Sequence, residues 1–173
     1  GTLNTVLDIG CNDGTQLNYF KELGVVTYGI DPAENLHPKS SENHNVVCDF
    51  FGPNAVPKLN TVGYDLITAQ NVCAHNPEPL GFLKACKSLM SDNTLLFVQT
   101  SQADMVLNGE FDTIYHEHIS FYNAESMRRL AERAGLYLTD VVKTPIHGTS
   151  YIFVISQQPA NTYRMANILD HER

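Results

Sequence analysis

The sequence has 173 residues, 43% of them hydrophobic, which suits one domain with a sizeable core. Eleven Lys and Arg stand against 19 Asp and Glu, giving a formal net charge of −8. The basic residues are scattered, which excludes a duplex-binding patch, and no apolar stretch approaches the roughly 20 residues of a membrane-spanning helix, so neither nucleic acid nor membrane is an expected partner.

Gly1 rather than Met opens the chain, and no charged segment with an apolar one behind it follows. The expectation is a fragment, a trimmed chain or a core lacking an upstream domain, with no signal peptide visible in the sequence given. Cys11, Cys48, Cys73 and Cys86 form no C-x-x-C pair, and three of them sit in or beside apolar runs. They read as small hydrophobes in a reducing cytoplasm, not as a disulfide framework or a zinc knuckle.

In chain order, residues 5–9 (TVLDI) read as a buried strand, residues 10–14 as a glycine-containing turn, and residues 15–23 as a helix closed by Gly24. Residues 25–30 (VVTYGI) form a second strand, halted by Asp31-Pro32. Short third and fourth strands follow at 45–48 and 64–69. Apolar residues recur at helical spacing over 79–90, and a fifth strand covers 94–100 (TLLFVQT). A helix spans 125–134, ending at Gly135 with Asn123 as its cap. Two last strands cover 138–142 and 151–155, and residues 159–173 read as a polar C-terminal tail behind a core of 1–158.

Strands alternating with helices imply an α/β, Rossmann-like domain: a seven-stranded, mostly parallel sheet with helices on both faces. No helix separates the last two strands, so the last is expected antiparallel. Ligands of such sheets bind outside the carboxyl ends of the strands, near the switch point in strand order.

After the first strand comes Asp8-Ile9-Gly10-Cys11-Asn12-Asp13-Gly14. Glycines let backbone approach a ligand closely and adopt positive φ. A dinucleotide fingerprint would carry glycine where Asn12 stands, and the carboxylates Asp8 and Asp13 suit the ammonium of a methionine moiety better than a pyrophosphate. A tight turn without ligand is the competing reading. Asp31, 21 residues after Gly10, has the spacing of a carboxylate that accepts both ribose hydroxyls; a turn Asp before Pro32 is the plainer reading. Asp49 can accept an adenine N6 amine and Phe50 can pack on the base, although Phe50 and Phe51 also fit a loop above the core. Asn71 and Val72 follow the fourth strand, where the sulfur end of a cofactor would lie.

These segments, VLDIGCNDG, GIDPAEN and CDFF, resemble the motifs of class I S-adenosylmethionine (SAM)-dependent methyltransferases. NVCAHNPEPLGFL (71–83), DTIYHEHISFYN (112–123) and His147-Gly148-Thr149-Ser150 are similar to segments of the nucleotide-sugar C3-methyltransferases of deoxysugar biosynthesis. The resemblance covers about residues 6–155. It departs from that family's pattern at Thr149, which stands in place of a glycine, and in lacking the flanking N-terminal zinc-binding and C-terminal domains.

The resemblance implies SAM as cofactor, held by Asp8, Gly10, Cys11, Asn12, Gly14, Asp31, Pro32, Asp49, Phe50, Asn71 and Val72. It implies a small-molecule substrate, a sugar nucleotide, contacted by Asn71, His75 and His147, and a separate or missing substrate-binding domain. It makes His118 the base, with Tyr115 and Glu117 near the reacting sugar and His116 beside them. The chemistry is coherent: the proton α to a keto group is acidic, a histidine titrates in the range of a general base, and a tyrosine can donate to the enolate oxygen. His116-x-His118 offers two metal ligands where a catalytic site usually needs three, so no metal is expected. His37, His44 and His171 read as solvated. Three other readings stay open: a SAM methyltransferase for another small molecule, a nicotinamide-dependent oxidoreductase, and a non-catalytic SAM-binding module.

Overall fold

The computed structural model describes residues 2–59, 63–101, 119–145 and 150–172, and in them a seven-stranded sheet of order β3-β2-β1-β4-β5-β7-β6. The strands are β1 (Thr5–Ile9), β2 (Val26–Asp31), β3 (Asn45–Cys48), β4 (Tyr64–Gln70), β5 (Met90–Ser101), β6 (Tyr137–Thr144) and β7 (Ser150–Ser156). Strands β1 to β5 pair in parallel, while β7 runs antiparallel to both β5 and β6. The last strand is thus the reversed one, as the missing helix before it implies. Strand order reverses at β1, which pairs with β2 on one side and β4 on the other.

The helices are α1 (Thr15–Glu22), α2 (His37–Ser41), α3 (Pro79–Ser88), α4 (Ala124–Arg133) and α5 (Tyr163–His171). Successive side chains of a strand point to opposite faces, and β1 shows this cleanly. Leu7 and Ile9 join the main core with Ile67, Phe82, Leu96 and Met127. Val6 joins a second cluster on the other face with Cys11, Leu17 and Val25, where α1 packs. Asp8 shares the Val6 face and is 3% exposed.

Three elements differ from the sequence reading. The helix read through residue 90 stops at Ser88, because Met90 already pairs with Tyr64 in the sheet. The five-residue α2 (HPKSS) carries no apolar period to announce it. Residues 159–173, read as a polar tail, carry α5, with Met165 buried at 5% exposure in the main core and Ile168 and Leu169 packed against it. Asn123 caps α4 as expected, its side chain accepting from Ser126 N–H at 2.8 Å in a reciprocal capping box. Among the described residues no helix is long and apolar enough to cross a membrane.

Candidate active site

The carboxyl ends of β1, β2, β3 and β4 bring most of the expected cofactor residues together around the first turn. Gly10 has φ +76, and a Cβ there would stand 2.6 Å from Val72 Cγ2, so glycine is required by both conformation and space. Asn12 takes φ 53 and Asn71 φ 54, the two positive-φ positions occupied by residues other than glycine among those described. Asparagine is among the side chains that tolerate this left-handed region. That explains Asn12: it supplies the left-handed backbone without glycine.

The turn is wired to β2. Gly10 N–H and Cys11 N–H both donate to Ile30 O, at 2.8 and 3.3 Å. Asn12 N–H donates to Asp31 Oδ2 at 2.9 Å, and Ala33 N–H to Asp31 Oδ1 at 2.8 Å. Asp31 therefore orders the turn itself, and each of its oxygens keeps a lone pair for a further donor. Pro32 beside it is exposed. The Cys11 side chain turns into the second core cluster, where its Sγ stands 2.7 Å from the Cβ position of Gly29.

The two carboxylates of the turn have different fates. Asp13 is committed to structure: Oδ1 accepts from Thr15 N–H and Oγ–H, and Oδ2 pairs with Lys39 at 2.6 Å. The Lys39 and Thr15 bonds hold its carboxyl down at about 2. Asp8 lies beneath the turn and accepts from Thr68 Oγ1 at 2.7 Å. Burial pushes its carboxyl up to about 7, against the Thr68 hydrogen bond and with the negative charge of Asp31 adding to it. A cation laid over this turn would relieve Asp8, and the ammonium of a methionine moiety is such a cation.

Asp49 follows β3, its N–H donating to Asp31 O at 3.2 Å. Its Oδ1 accepts from Phe50 N–H and its Oδ2 pairs with Lys58 at 2.7 Å, and the Lys58 bond holds its carboxyl below the usual range. Phe50 is 77% exposed, while Phe51 packs edge-on against Phe82 at 5.2 Å. The doublet thus divides into one ring free to cover a ligand and one ring of the core.

At the end of β4, Asn71 N–H donates to Gln99 O at 3.0 Å, while Asn71 Oδ1 is buried without a partner. Thr100 Oγ1 on β5 is likewise buried and unpartnered. An orphaned buried acceptor costs about 1–3 kcal/mol, and a ligand donor at Asn71 would remove that cost. The residues present thus fit a cofactor carrying an ammonium and hydroxyl donors. Next come a 3-10 turn, Cys73–His75, and the half-buried His75. Ala74 O accepts from Ile119 N–H at 2.9 Å and Ser120 N–H at 3.1 Å. Tyr115, His116, Glu117, His118 and His147 lie outside the described residues. Ser150, the last residue of the histidine-glycine segment, opens β7 and accepts from Gln99 Nε2 at 3.0 Å.

The sequence reading missed Thr68, Lys39, Lys58 and His44. The first three carry no motif and touch the site through partners 60, 26 and 9 residues away. His44, read as solvated, is 9% exposed, with Thr27 Oγ1 at 2.7 Å from Nδ1 and Asn18 Oδ1 at 3.0 Å from Nε2.

A sheet of this order with a reversed β7, and a glycine turn closed by acidic residues at the switch point, defines a class I SAM-dependent methyltransferase fold. A family model described as a methyltransferase domain matches residues 2–141, and the chain belongs to that family. It is a methyltransferase domain with the class I fold. The C-methyltransferase NovU of Streptomyces niveus is 29% identical over 85% of this chain and 36% of its own length. A ubiquinone biosynthesis O-methyltransferase of Glaesserella parasuis is 31% identical over 55% of this chain and 44% of its own. The chain thus spans less than half the length of either relative. Among solved structures, magnesium protoporphyrin IX methyltransferase of Synechocystis PCC 6803 with bound S-adenosylhomocysteine (SAH) has TM-score 0.67 at 16% identity, covering 91% of this chain and 75% of that one. A SAM-dependent methyltransferase of Archaeoglobus fulgidus has TM-score 0.66 at 17% identity, covering 89% and 86%. At these identities the likeness carries the fold alone.

Proposed function

We propose that this chain is the SAM-binding core of a C-methyltransferase that alkylates a nucleotide-linked keto-deoxysugar at the carbon α to its carbonyl. Asp31 accepts the ribose hydroxyls, Asp49 and Phe50 take the adenine, Asp8 lies below the methionine ammonium, and Asn71 offers its buried oxygen to a donor of cofactor or substrate. The bound cofactor supplies an electrophilic methyl group on sulfonium sulfur. His118 takes the α proton, Tyr115 donates to the enolate oxygen, Glu117 and His116 complete the catalytic group, and Asn71, His75 and His147 bind the sugar. The electron pair of the broken C–H bond forms the new C–CH3 bond, and SAH leaves.

The observation that carries this reading is the pair of bonds from Ile119 and Ser120 N–H to Ala74 O. Ile119 directly follows His118 in the chain, and Ala74 directly precedes His75. The chain directly after His118 is therefore bonded to the residue directly before His75, which supports a shared role for the two histidines. Similarity to NovU, a C-methyltransferase, over 85% of the chain supports the same reading.

The test is a reaction of the chain with methyl-labelled SAM and a 4-keto sugar nucleotide, read by carbon NMR. A new methyl on carbon is expected. A methoxy signal would instead favour O-methylation, the chemistry named for the ubiquinone relative. In heavy water without SAM, the wild type should exchange the α proton of the sugar, and His118→Asn should abolish that exchange while leaving SAH affinity unchanged. Wild-type exchange in the variant would remove His118 as the base.

A further inference from the structure

His44 lies outside the cofactor residues yet packs directly beneath their turn. Its ring is buried, and both ring nitrogens are engaged: Nδ1 with Thr27 Oγ1 on β2, Nε2 with Asn18 Oδ1 on α1. Asn18 Oδ1 can only accept, so Nε2 carries the proton, and Nδ1 accepts from the Thr27 hydroxyl. The residue before it is stitched to the same helix, since Lys21 Nζ donates to Asn43 O and Oδ1 at 3.3 and 3.1 Å. The ring edge meets Gly14: a Cβ there would lie 3.0 Å from His44 Cδ2 and 3.4 Å from Ser40 Cα of α2. Gly14, at φ +84, is the N-cap of α1 and closes the turn by donating from its N–H to Cys11 O at 2.9 Å.

We propose that His44 is a positioning residue for the cofactor turn: its imidazole spans α1 and β2 and props Gly14, fixing the backbone over which the methionine half of the cofactor lies. Gly14, as the N-cap of α1, has no side chain of its own to brace it. Ile30 and Asp31 hold the first half of the turn, and the His44 ring stands against its last residue, Gly14. A buried side chain hydrogen-bonded at both ends cannot shift without leaving a donor or acceptor unpaired, which is what makes it a rigid prop. Asp31 and Asp49, at the other end of the site, have their own bonds to Asn12, Ala33, Phe50 and Lys58 and make none to His44.

The inference rests on the proposed orientation of the cofactor, and the test separates the two. SAH and 5′-methylthioadenosine share adenine, ribose and sulfur, but the second lacks the amino-acid half. In His44→Leu, SAH affinity should fall about tenfold while methylthioadenosine affinity changes less than about twofold, the loss expected of one or two buried hydrogen bonds. His44→Gln keeps one donor and one acceptor and should recover part of the SAH affinity. If His44→Leu does not fold, Asn18→Ala, at an exposed position that removes the Nε2 partner, should show the same selective loss at about threefold. Equal losses for both ligands, or unchanged SAH binding in the folded variants, would overturn the proposal. Wild-type protein that binds neither ligand would overturn the cofactor assignment itself.

Discussion

Asp8 is held in a tension that the cofactor can resolve. Its carboxyl rises to about 7 from a usual 3.8, chiefly by burial. The folded chain therefore keeps a proton that the unfolded chain has lost between those two values. Stability from this group is fully present below about pH 4 and is lost as pH rises through about 7, a swing on the order of 4 kcal/mol. Asp8→Asn removes the penalty, so at about pH 8 the variant should melt higher than wild type without ligand, and it should bind SAH more weakly. Binding of a cationic moiety should also expel up to about one proton near pH 6. Calorimetry in two buffers of different ionisation enthalpy reads this directly, and identical heats in both would dissociate Asp8 from the ligand.

Gly10 makes the second prediction at this scale. Gly10→Ala meets both a left-handed backbone and Val72 Cγ2 at 2.6 Å. The backbone alone costs about 1–2 kcal/mol, and the clash pushes Val72 and its neighbour Asn71 away from the turn. Denaturation midpoint and SAH affinity should both fall. Asp8, Gly10 and Asp31 were legible because turn chemistry and spacing are local. Thr68 was not, because it reaches Asp8 only through the parallel pairing of β4 with β1.

Among the elements, α4 illustrates how far local signals reach. Asn123 and Ser126 cap it reciprocally, and of the two the sequence announces Asn123. Asn123→Ala should cost about 1 kcal/mol in unfolding free energy, measured by denaturant titration. The same helix start receives a second cap with no local signal: the Glu172 carboxylate accepts from Ala124 N–H at 2.8 Å and Glu125 N–H at 3.0 Å. A carboxylate at a helix N-terminus is favourable in both hydrogen bonding and dipole. Most strands were placed to within a residue or two because apolar runs bounded by Gly and Pro survive any tertiary context. Helix α2 was missed because a polar five-residue turn is stabilised by its neighbours and not by a period of its own.

At the scale of the molecule, residues 159–173 matter most. Helix α5 closes against β6 through Asp140, which is 7% exposed, pairs with Arg164 and accepts from Thr162 Oγ1. Burial raises the Asp140 carboxyl, and the Arg164, Thr162 and Val141 N–H bonds outweigh it, leaving it below the usual range. Stability from this group is present above the ordinary carboxylate pKa and is lost as pH falls through the lowered one. Arg164→Ala leaves a buried carboxylate with fewer partners and should cost about 1–3 kcal/mol at neutral pH. The cost should shrink on acidification, as read by thermal melts across pH. A difference that does not vary with pH would mean that the pair contributes packing and not charge.

The sequence by itself determined the strand–helix alternation, the reversed last strand, the glycine turn and the acidic residues at strand ends. Each is fixed by backbone propensity and side-chain period within a few residues. Only the tertiary structure decided how those acids are used. Asp13 goes to Lys39, Asp49 is held by Lys58, Asp31 orders the turn, and Asp8 alone of these four lies buried beneath it. It also turned His44 from a solvated residue into a buried bridge and the tail into a docked helix. Burial, and with it the energy of a charge or a hydrogen bond, depends on segments distant in the chain, and no local pattern encodes it.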